Sequence, residues 1–364
     1  MWGSLTEGDV QILVTGGAGF IGSAVCRHVI GSTEWSVTNL DKLTYAANLS
    51  SLKSIEHNPR YRFVHGDIRD RHLVQQLLIE LQPHAIMNLA AETHVDRSID
   101  ASDAFVETNV EGTYNLLEET RRYLTTLPTE AQRGFRFHHV STDEVYGDLV
   151  HSAPCTETAP YNPSSPYAAS KAASDLFVRA WARTYGVPVL ITNSSNNYGP
   201  HQFPEKLIPL MILRALKCEQ LPVYGKGDNV RDWLHVDDHA QALTLILKRG
   251  APNSTYNVGG DAERNNLQVV KQVCDLLDEL VGPLSSGPRT NLINFVADRP
   301  GHDQRYAINS NKLRSELGWQ PVYDFDSGLR ATVRWYLDND DWWAPLLQAN
   351  KPLERVGLQP VARV

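Results

Sequence analysis

Two adjacent carboxyl groups follow two hydroxyl groups within Phe137–Tyr146, which reads FHHVSTDEVY. One carboxyl can act as an acid and its neighbour as a base when their surroundings push the two pKa values apart. Side chains alternate along a strand, so Asp143 and Glu144 can serve one site only if the chain leaves the strand there. Gly147 permits such a turn. The alternative is an acidic loop that only caps the next element.

Tyr167 and Lys171 are four residues apart on a predicted helix and therefore share one face of it. A tyrosine is a poor base at neutral pH, but a nearby ammonium group and the helix amino terminus stabilise its phenolate. Such a pair can take a proton from a substrate hydroxyl while a hydride leaves the same carbon for NAD. The alternative is an ordinary pair on a helix surface. The nucleotide loop upstream and the Ser-Thr-Asp-Glu segment favour the catalytic interpretation.

A glycine-rich turn, Thr15–Gly22 (TGGAGFIG), follows the apolar run Val10–Val14 and precedes a helical pattern. Glycine lets the backbone turn tightly and approach a pyrophosphate, which then rests on the amino terminus of the helix. The spacing matches GxGxxG and GxxGxxG in a strand–turn–helix context, which indicates dinucleotide binding. The next strand, Ser36–Leu40, ends in Asp41, where a carboxylate binds the adenosine ribose and favours NAD over NADP. A later loop acid, Asp67, is expected to meet the adenine.

These side chains need a parallel sheet that brings the ends of several strands together. Strand and helix patterns alternate through the first half of the chain, which predicts βαβ units with helices on both faces. The predicted strands there are Val10–Val14, Ser36–Leu40, Arg62–His65, Ala85–Leu89, Arg136–Val140 and Val187–Ile191, with helices over Asp70–Leu81, Ala104–Tyr123 and Pro166–Tyr185. We predict an α/β fold, a Rossmann-type doubly wound parallel sheet with a smaller mixed α/β C-terminal substrate domain.

The domain organisation follows from a sharp break at Asn193–Pro200. We assign residues 9–195 to an NAD-binding Rossmann domain and residues 196–345 to a domain that binds the substrate. Residues 230–260 are expected to rejoin the first domain, because Thr255–Val258 has the character of a strand of the main sheet.

Composition limits the class of protein and of partner. The chain has 364 residues, enough for one large and one smaller domain, and its 42% apolar and 21% charged content is ordinary. A net charge of −8 argues against a binder of nucleic acid or anionic membranes. Neither the four cysteines nor the histidines have the spacing of metal ligands, so we predict no metal. No signal peptide or membrane-spanning run is visible, so we expect a cytoplasmic protein, and Met1–Gly8 shows no structural signal.

From Val10 to Trp343 the chain resembles the extended short-chain dehydrogenase/reductases, and within that branch the dTDP-glucose 4,6-dehydratase family. The glycine loop marks the superfamily only. STDEVYGD (Ser141–Asp148) is the specific motif, because most relatives that perform simple epimerisation lack its Asp-Glu pair. The other matching segments are LDKLTYA (Leu40–Ala46), LAAETHVDRSID (Leu89–Asp100), SPYAASK (Ser165–Lys171), NNYGP (Asn196–Pro200), PEKLIP (Pro204–Pro209) and DRPGHD (Asp298–Asp303).

The resemblance implies conversion of dTDP-glucose to dTDP-4-keto-6-deoxyglucose and water through transient reduction of tightly held NAD. Tyr167, supported by Lys171, would take the proton of the C4 hydroxyl, and Thr142 would hydrogen-bond the C4 oxygen. Glu144 would then remove the C5 proton, and Asp143 would protonate the departing C6 hydroxyl. Because the cycle is redox-neutral, the implied enzyme is a lyase.

The resemblance also carries over binding positions one by one. The implied NAD contacts are Gly16, Gly19, Phe20, Ile21, Gly22, Asp41, Lys42, Leu43, Thr44, Asp67, Ile68, Leu89, Ala90, Ala91, Thr108, Tyr167, Lys171 and Asn197. The implied sugar-nucleotide contacts are Thr93, Thr142, Asn196, Lys206, Leu207, Pro222, Val223, Tyr224, Arg231, Asn266, Arg299 and His302. A homodimer formed through the helices that contain Thr108 and Tyr167 is a further expectation from the family.

Three alternatives stay open. Arg231, beside Asp232, is either half of a surface ion pair or a planar fork for diphosphate oxygens. A UDP-hexose 4,6-dehydratase or a sugar-nucleotide epimerase would have a similar build, and residue spacing does not separate thymine from uracil. A catalytically silent NAD-binding scaffold is a different class, and the presence of all five proposed catalytic residues argues against it.

Overall fold

The computed structural model describes residues 10–150, 152–299 and 301–349, so Met1–Gly8 lies outside the described residues. The strands are β1 (Gln11–Thr15), β2 (Ser36–Asp41), β3 (Tyr61–His65), β4 (Ala85–Asn88), β5 (Arg136–Thr142), β6 (Val189–Ser194), β7 (Asn196–Tyr198), β8 (Leu221–Tyr224), β9 (Val230–His235), β10 (Ser254–Val258), β11 (Glu263–Asn265) and β12 (Ile293–Val296). The helices are α1 (Phe20–Ser32), α2 (Arg71–Leu81), α3 (Val95–Asp100), α4 (Asp103–Phe105), α5 (Thr113–Thr126), α6 (Thr129–Gly134), α7 (Pro166–Tyr185), α8 (Leu207–Leu216), α9 (Val236–Arg249), α10 (Asn266–Val281), α11 (Asn311–Leu317), α12 (Phe325–Asp338) and α13 (Asp340–Ala349). Short 3-10 helices cover Leu49–Leu52, Asp143–Tyr146 and Arg289–Leu292, and Val106–Gly112 is π-helical.

The main sheet has seven strands in the order β10-β6-β5-β4-β1-β2-β3, and each neighbouring pair is parallel. The direction of strand order reverses between β1 and β4, which is where open α/β sheets bind ligands. The predicted Rossmann-type doubly wound sheet is confirmed, and a smaller region with the sheets β11-β9-β7 and β12-β8 accompanies it. β10 lies beside β6 in the main sheet, whereas the predicted domain boundaries stay a prediction.

Apolar side chains cover both faces of the main sheet. Ile12 and Val14 of β1 pack into the cluster that contains residues of α1 and α9, whereas Leu13 packs into the cluster on the opposite face with Ile86. A third cluster, around Ile212 on α8, joins α8, α10 and α12 in the smaller region. A shift of one residue would exchange the two faces of a strand and so move each side chain into the opposite cluster. This packing therefore fixes the register and hence the positions of the strand ends.

The helix that carries Tyr167 and Lys171 begins where the sequence predicts. The Ser165 hydroxyl caps α7 by accepting the Ala168 amide at 3.1 Å, and Pro166 occupies the first turn. The helix ends at the left-handed Gly186, whose φ is 71°. Local sequence signals therefore define both ends of α7.

Some elements differ from the sequence prediction. The predicted strand Arg136–Val140 continues to Thr142, and the predicted helix Ala104–Tyr123 is divided by the π-helical segment. The three-residue strands β7 and β11 were not predicted, because segments so short have no measurable periodicity. Among the described residues, no helix combines the length and the apolar character needed to cross a bilayer.

Candidate active site

The chain leaves β5 directly after Thr142 and continues as a 3-10 helix. The Thr142 hydroxyl caps this helix by accepting the Glu144 amide at 3.3 Å. Gly147 ends it with a φ of 80°, and a Cβ there would lie 2.1 Å from the Asn162 carbonyl oxygen. Glycine is therefore required at this turn, which brings Asp143 and Glu144 onto the wall of one cavity.

Asp143 and Glu144 have different electrostatic surroundings. Burial raises the pKa of Asp143 well above its ordinary value, and the charge of Glu144 adds to the effect. Burial also raises the pKa of Glu144, but the cations Arg299, Arg231 and Lys206 oppose that rise. The neutral form of Asp143 is therefore favoured, whereas the cations around Glu144 favour its ionised form. Among the described residues, the buried atoms Asp143 Oδ2 and Glu144 Oε2 have no hydrogen-bond partner, so neither oxygen is committed to another group of the protein.

Tyr167 and Lys171 line the same cavity from α7. Burial raises the pKa of Tyr167, as does the charge of Glu144, while a hydrogen bond with Thr142 lowers it. Lys171 Nζ donates to the Val140 carbonyl at 2.9 Å, which fixes the ammonium at the end of β5. Burial lowers the pKa of Lys171 to about 8. Direct support of the phenolate by Lys171 stays a prediction.

The glycine loop fits the pyrophosphate of a dinucleotide. Gly16 has a φ of 73°, and a Cβ on it would lie 2.7 Å from Ala90 Cα, so the loops after β1 and β4 touch at the switch point. A Cβ on Gly22 would lie 2.1 Å from the Gly16 carbonyl oxygen. Among the described residues no side chain caps α1, which begins after Gly19, so its first amides are available to an anion.

Asp41 and Asp67 lie at the far end of the same cavity. Asp41 accepts the Ala18 amide at 2.9 Å and the Leu43 amide at 2.8 Å, and each of its oxygens can accept one more hydrogen bond, as a ribose diol requires. Asp67 forms an ion pair with Lys42 at 2.8 Å. Burial raises the pKa of Asp67, but the hydrogen bond from Lys42 helps to hold that pKa below its ordinary value. Asp67 therefore anchors Lys42 on the cavity wall.

The predicted site residues line two adjoining cavities. The first, of about 310 Å³, is lined by the five proposed catalytic residues and by every predicted NAD residue except Leu43, which lies beside it. The second, of about 650 Å³, is lined by every predicted sugar-nucleotide residue except Thr142, which lies in the first. Volumes of this order suit small organic ligands. Glu144 lines both cavities and so marks their junction.

Arg231 lies inside the second cavity rather than on the surface. Its guanidinium donates to the Asp303 carbonyl at 2.9 Å and lies 4.4 Å from the centre of the Tyr306 ring. Asp232 instead accepts the backbone amides of Gly260 and Ala262. The alternative of a surface ion pair is therefore wrong, and a buried cation in this wall suits a diphosphate.

Three acids at or behind the site were missed by sequence reasoning. Asp96 forms an ion pair with Arg299 at 2.6 Å, and Glu205 lines both cavities. Asp175 is buried behind Lys171, and its position four residues further along the same helix was a signal that could have found it. Asp96 and Glu205 interact with Arg299 and Tyr45, which are distant in sequence, so no local sequence pattern marks either acid. Across the described ranges, no three His, Cys, Asp or Glu side chains come together as a metal site requires.

Comparison with known proteins gives consistent matches along the chain. A family model described as GDP-mannose 4,6 dehydratase matches residues 13–332. A dTDP-glucose 4,6-dehydratase of Neisseria meningitidis serogroup B is 56% identical over 350 residues, which cover 95% of this chain and 99% of that protein.

Solved structures show the same relationship. DesIV, a dTDP-glucose 4,6-dehydratase of Streptomyces venezuelae crystallised with NAD, is 45% identical with a TM-score of 0.84, and the match covers 93% of this chain and 100% of that one. A UDP-glucose 4-epimerase of Thermotoga maritima is 27% identical with a TM-score of 0.78, and the match covers 90% and 99%. The fold is thus common to both activities, while sequence identity is higher with the dehydratase.

Proposed function

This chain belongs to the dTDP-glucose 4,6-dehydratase family, as its motifs predict, and we propose that it converts dTDP-glucose to dTDP-4-keto-6-deoxyglucose and water. It is an NAD-dependent hydro-lyase. The observation that carries this assignment is the place of Glu144 at the junction of the two cavities, with Asp143 and Tyr167 beside it. An epimerase needs no second acid and base at that point, whereas elimination of water needs both.

NAD, when bound, accepts a hydride from C4 of the sugar and returns it to C6. The backbone packs so closely at Gly16 and Gly22 that neither position has room for a Cβ, and no described side chain caps the start of α1. Both observations support placing the pyrophosphate of NAD there. Asp41 supports NAD over NADP, because a carboxylate binds the ribose hydroxyls and repels an added phosphate.

The proton transfers are assigned to residues of this chain. Tyr167 takes the proton of the C4 hydroxyl, with Thr142 holding the C4 oxygen and Lys171 supplying a positive charge. The resulting ketone acidifies the C5 proton, which Glu144 removes in its ionised form, and C5 takes up a proton again when the hydride adds to C6. Asp143, whose neutral form burial favours, gives its proton to the departing C6 hydroxyl.

The cationic wall of the second cavity supports binding of the nucleoside diphosphate part of the substrate there. Arg231 and Arg299 are both buried enough to interact strongly with phosphate oxygens, and Lys206 lies at the junction beside Glu144. On this basis residues 196–345 form a sugar-nucleotide-binding domain, and residues 9–195 with 230–260 form the NAD-binding domain.

The decisive experiment is incubation of the purified protein with dTDP-glucose, with mass detection of the loss of one water. UDP-glucose is tested in parallel. Water loss from the UDP sugar alone would identify a UDP-hexose dehydratase, and a C4 epimer of unchanged mass would identify an epimerase. Loss of water that requires stoichiometric added NAD would contradict the proposed cycle, which regenerates the cofactor.

We also propose a homodimer formed through α5 and α7. Tyr114 on α5 lies against Phe177 and Trp181 of α7, with ring centroids 6.3 and 5.7 Å apart, and Leu176 beside them is 58% exposed. An apolar face of this kind supports contact with a second copy of the chain. A cytoplasmic location is proposed as well, and the four free cysteines support it.

A further inference from the structure

Asp175 is a fully buried carboxyl one helical turn beyond Lys171, and the chemistry above does not use it. Its Oδ2 accepts the Ser141 hydroxyl and the Tyr161 hydroxyl, both at 2.9 Å. The Asn193 amide lies 3.4 Å from the same oxygen. A carboxyl that accepts from donors on separate elements is stabilised in its ionised form despite burial. Asp175 is therefore a negative charge enclosed in the protein behind the catalytic cavity.

His139 lies between Asp175 and Lys171. Asn88 Oδ1 accepts the Thr15 hydroxyl at 2.7 Å, so Asn88 presents its amide nitrogen to His139 Nδ1, 3.1 Å away. Nδ1 is then an acceptor, and the ring proton resides on Nε2, which is hydrogen-bonded to the Ser174 hydroxyl at 3.2 Å and lies 3.3 Å from Asp175 Oδ1. Burial and the charge of Lys171 lower the pKa of His139 to about 4, so the ring is neutral.

Lys171 is 4% exposed, and the Val140 carbonyl is a neutral partner for it. A buried ammonium without a nearby anion reverts to the neutral amine. The other titratable groups around it are His139 on β5, Tyr167 on α7, Tyr161 in the preceding loop, and Asp143 and Glu144 on the 3-10 helix. His139 is neutral, burial raises the pKa values of both tyrosines and of Asp143 and so favours their neutral forms, and the cations of the second cavity surround Glu144. Of the groups around Lys171, Asp175 is therefore the anion that can stabilise the charge of its ammonium group.

We infer that Asp175 is a positioning residue for the dehydration, whose enclosed negative charge keeps the Lys171 ammonium charged and held at the end of β5. The inference rests on the proposed function, because a charged Lys171 matters there as the support of Tyr167. The same carboxylate also steadies the strand end that carries Thr142, since Asn193 donates to the Thr142 carbonyl at 3.1 Å.

The first test is the pH dependence of kcat with dTDP-glucose in Asp175→Asn, which removes the charge and keeps the size of the side chain. The alkaline limb should move to lower pH by about one unit or more, because loss of an adjacent opposite charge shifts a pKa by that order. Tyr161→Phe is the matched control, since it removes one donor and leaves the charge, and its alkaline limb should coincide with that of the wild type. Asp175→Glu should return the limb toward the wild-type position.

The second test does not depend on turnover. Protein labelled with ¹³C-lysine is titrated by NMR, with the Lys171 signal assigned from Lys171→Met. The pKa of Lys171 should be lower in Asp175→Asn than in the wild type and in Tyr161→Phe. An equal pKa in all three proteins would overturn the inference. If Asp175→Asn does not fold by circular dichroism, Asp175→Ser, which leaves room for a water, takes its place with the same expected shift.

The two tests separate the inference from the function on which it rests. A wild-type protein that removes no water from dTDP-glucose would refute the proposed function, and the titration would still decide the role of Asp175. A wild-type protein that is active, with an unchanged limb in Asp175→Asn, would refute the role of Asp175 alone.

Discussion

Asp143 and Glu144 are consecutive residues of one 3-10 helix, yet only Glu144 reaches the second cavity. Burial is the largest effect on both carboxyls and raises both pKa values, but Arg299, Arg231 and Lys206 oppose the rise at Glu144, whereas the charge of Glu144 adds to the rise at Asp143. The proposed acid and the proposed base therefore lie side by side although their side chains carry the same functional group. Replacing either carboxyl by the corresponding amide disables that residue alone.

Glu144→Gln should permit oxidation at C4 and stop elimination, because the substitution removes the base for the C5 proton and keeps the shape of the site. Rapid-mixing absorbance should show reduced nicotinamide accumulating after addition of dTDP-glucose. The wild type should show at most a small transient signal. Turnover of Glu144→Gln at the wild-type rate would refute the assignment of the base.

Tyr167→Phe should lower kcat by about 10²–10⁴-fold, since it removes the group that accepts the C4 proton. The ring should keep its edge contact with Phe105, whose centroid is 6.3 Å away, so thermal stability should change little. Tyr185→Phe, at the exposed end of the same helix, is the control and should retain full activity. Substantial activity in Tyr167→Phe would contradict the proposed base.

The pH profile of kcat should be bell-shaped. The pKa of Glu144 is raised by burial, so the base form is lost as the pH falls through a value above the ordinary range of glutamate. Burial lowers the pKa of Lys171 to about 8, so its charge is lost as the pH rises through that region. Steady-state assays across the neutral and alkaline range test both limbs. A rate that stays constant far above the Lys171 pKa would show that the ammonium is not needed.

Gly22→Ala should destabilise the protein by about 1–3 kcal/mol and weaken NAD retention, because the added Cβ would lie 2.1 Å from the Gly16 carbonyl oxygen. Urea unfolding measures the first effect, and the nicotinamide content of purified protein measures the second. Gly31→Ala is the matched control in the same helix, since no atom lies within 4 Å of its added Cβ. It should be neutral or stabilising by about 0.5–1 kcal/mol. Equal changes in unfolding free energy and in nicotinamide content for the two substitutions would refute the argument that a Cβ at Gly22 causes a clash.

Leu176→Arg should yield monomers if α5 and α7 form the dimer contact, because a charge would be placed in an apolar interface. Static light scattering measures the mass directly. Val322→Arg is the control, since Val322 is 75% exposed on another part of the surface and should leave the mass unchanged. A dimer that persists in Leu176→Arg would exclude this face.

The sequence by itself determined the elements whose cause is local. The glycine loop, the Ser165 cap, the proline that follows it and the strands of the main sheet all follow from patterns within a few neighbouring residues. The same patterns placed Tyr167 and Lys171 on one helix face and required a turn at Gly147. The family followed from motifs of this kind.

Only the tertiary structure decided how the surroundings of the two like carboxyls differ, whether Arg231 is exposed, and what lies behind Lys171. Asp96 and Arg299 are 203 residues apart in the chain, and Asp175 accepts hydrogen bonds from a strand and from the loop before its own helix. Backbone conformation depends on near neighbours in sequence, so a sequence pattern can predict it. Burial and electrostatic potential are instead sums over every group the fold brings close, and those groups come from all parts of the chain.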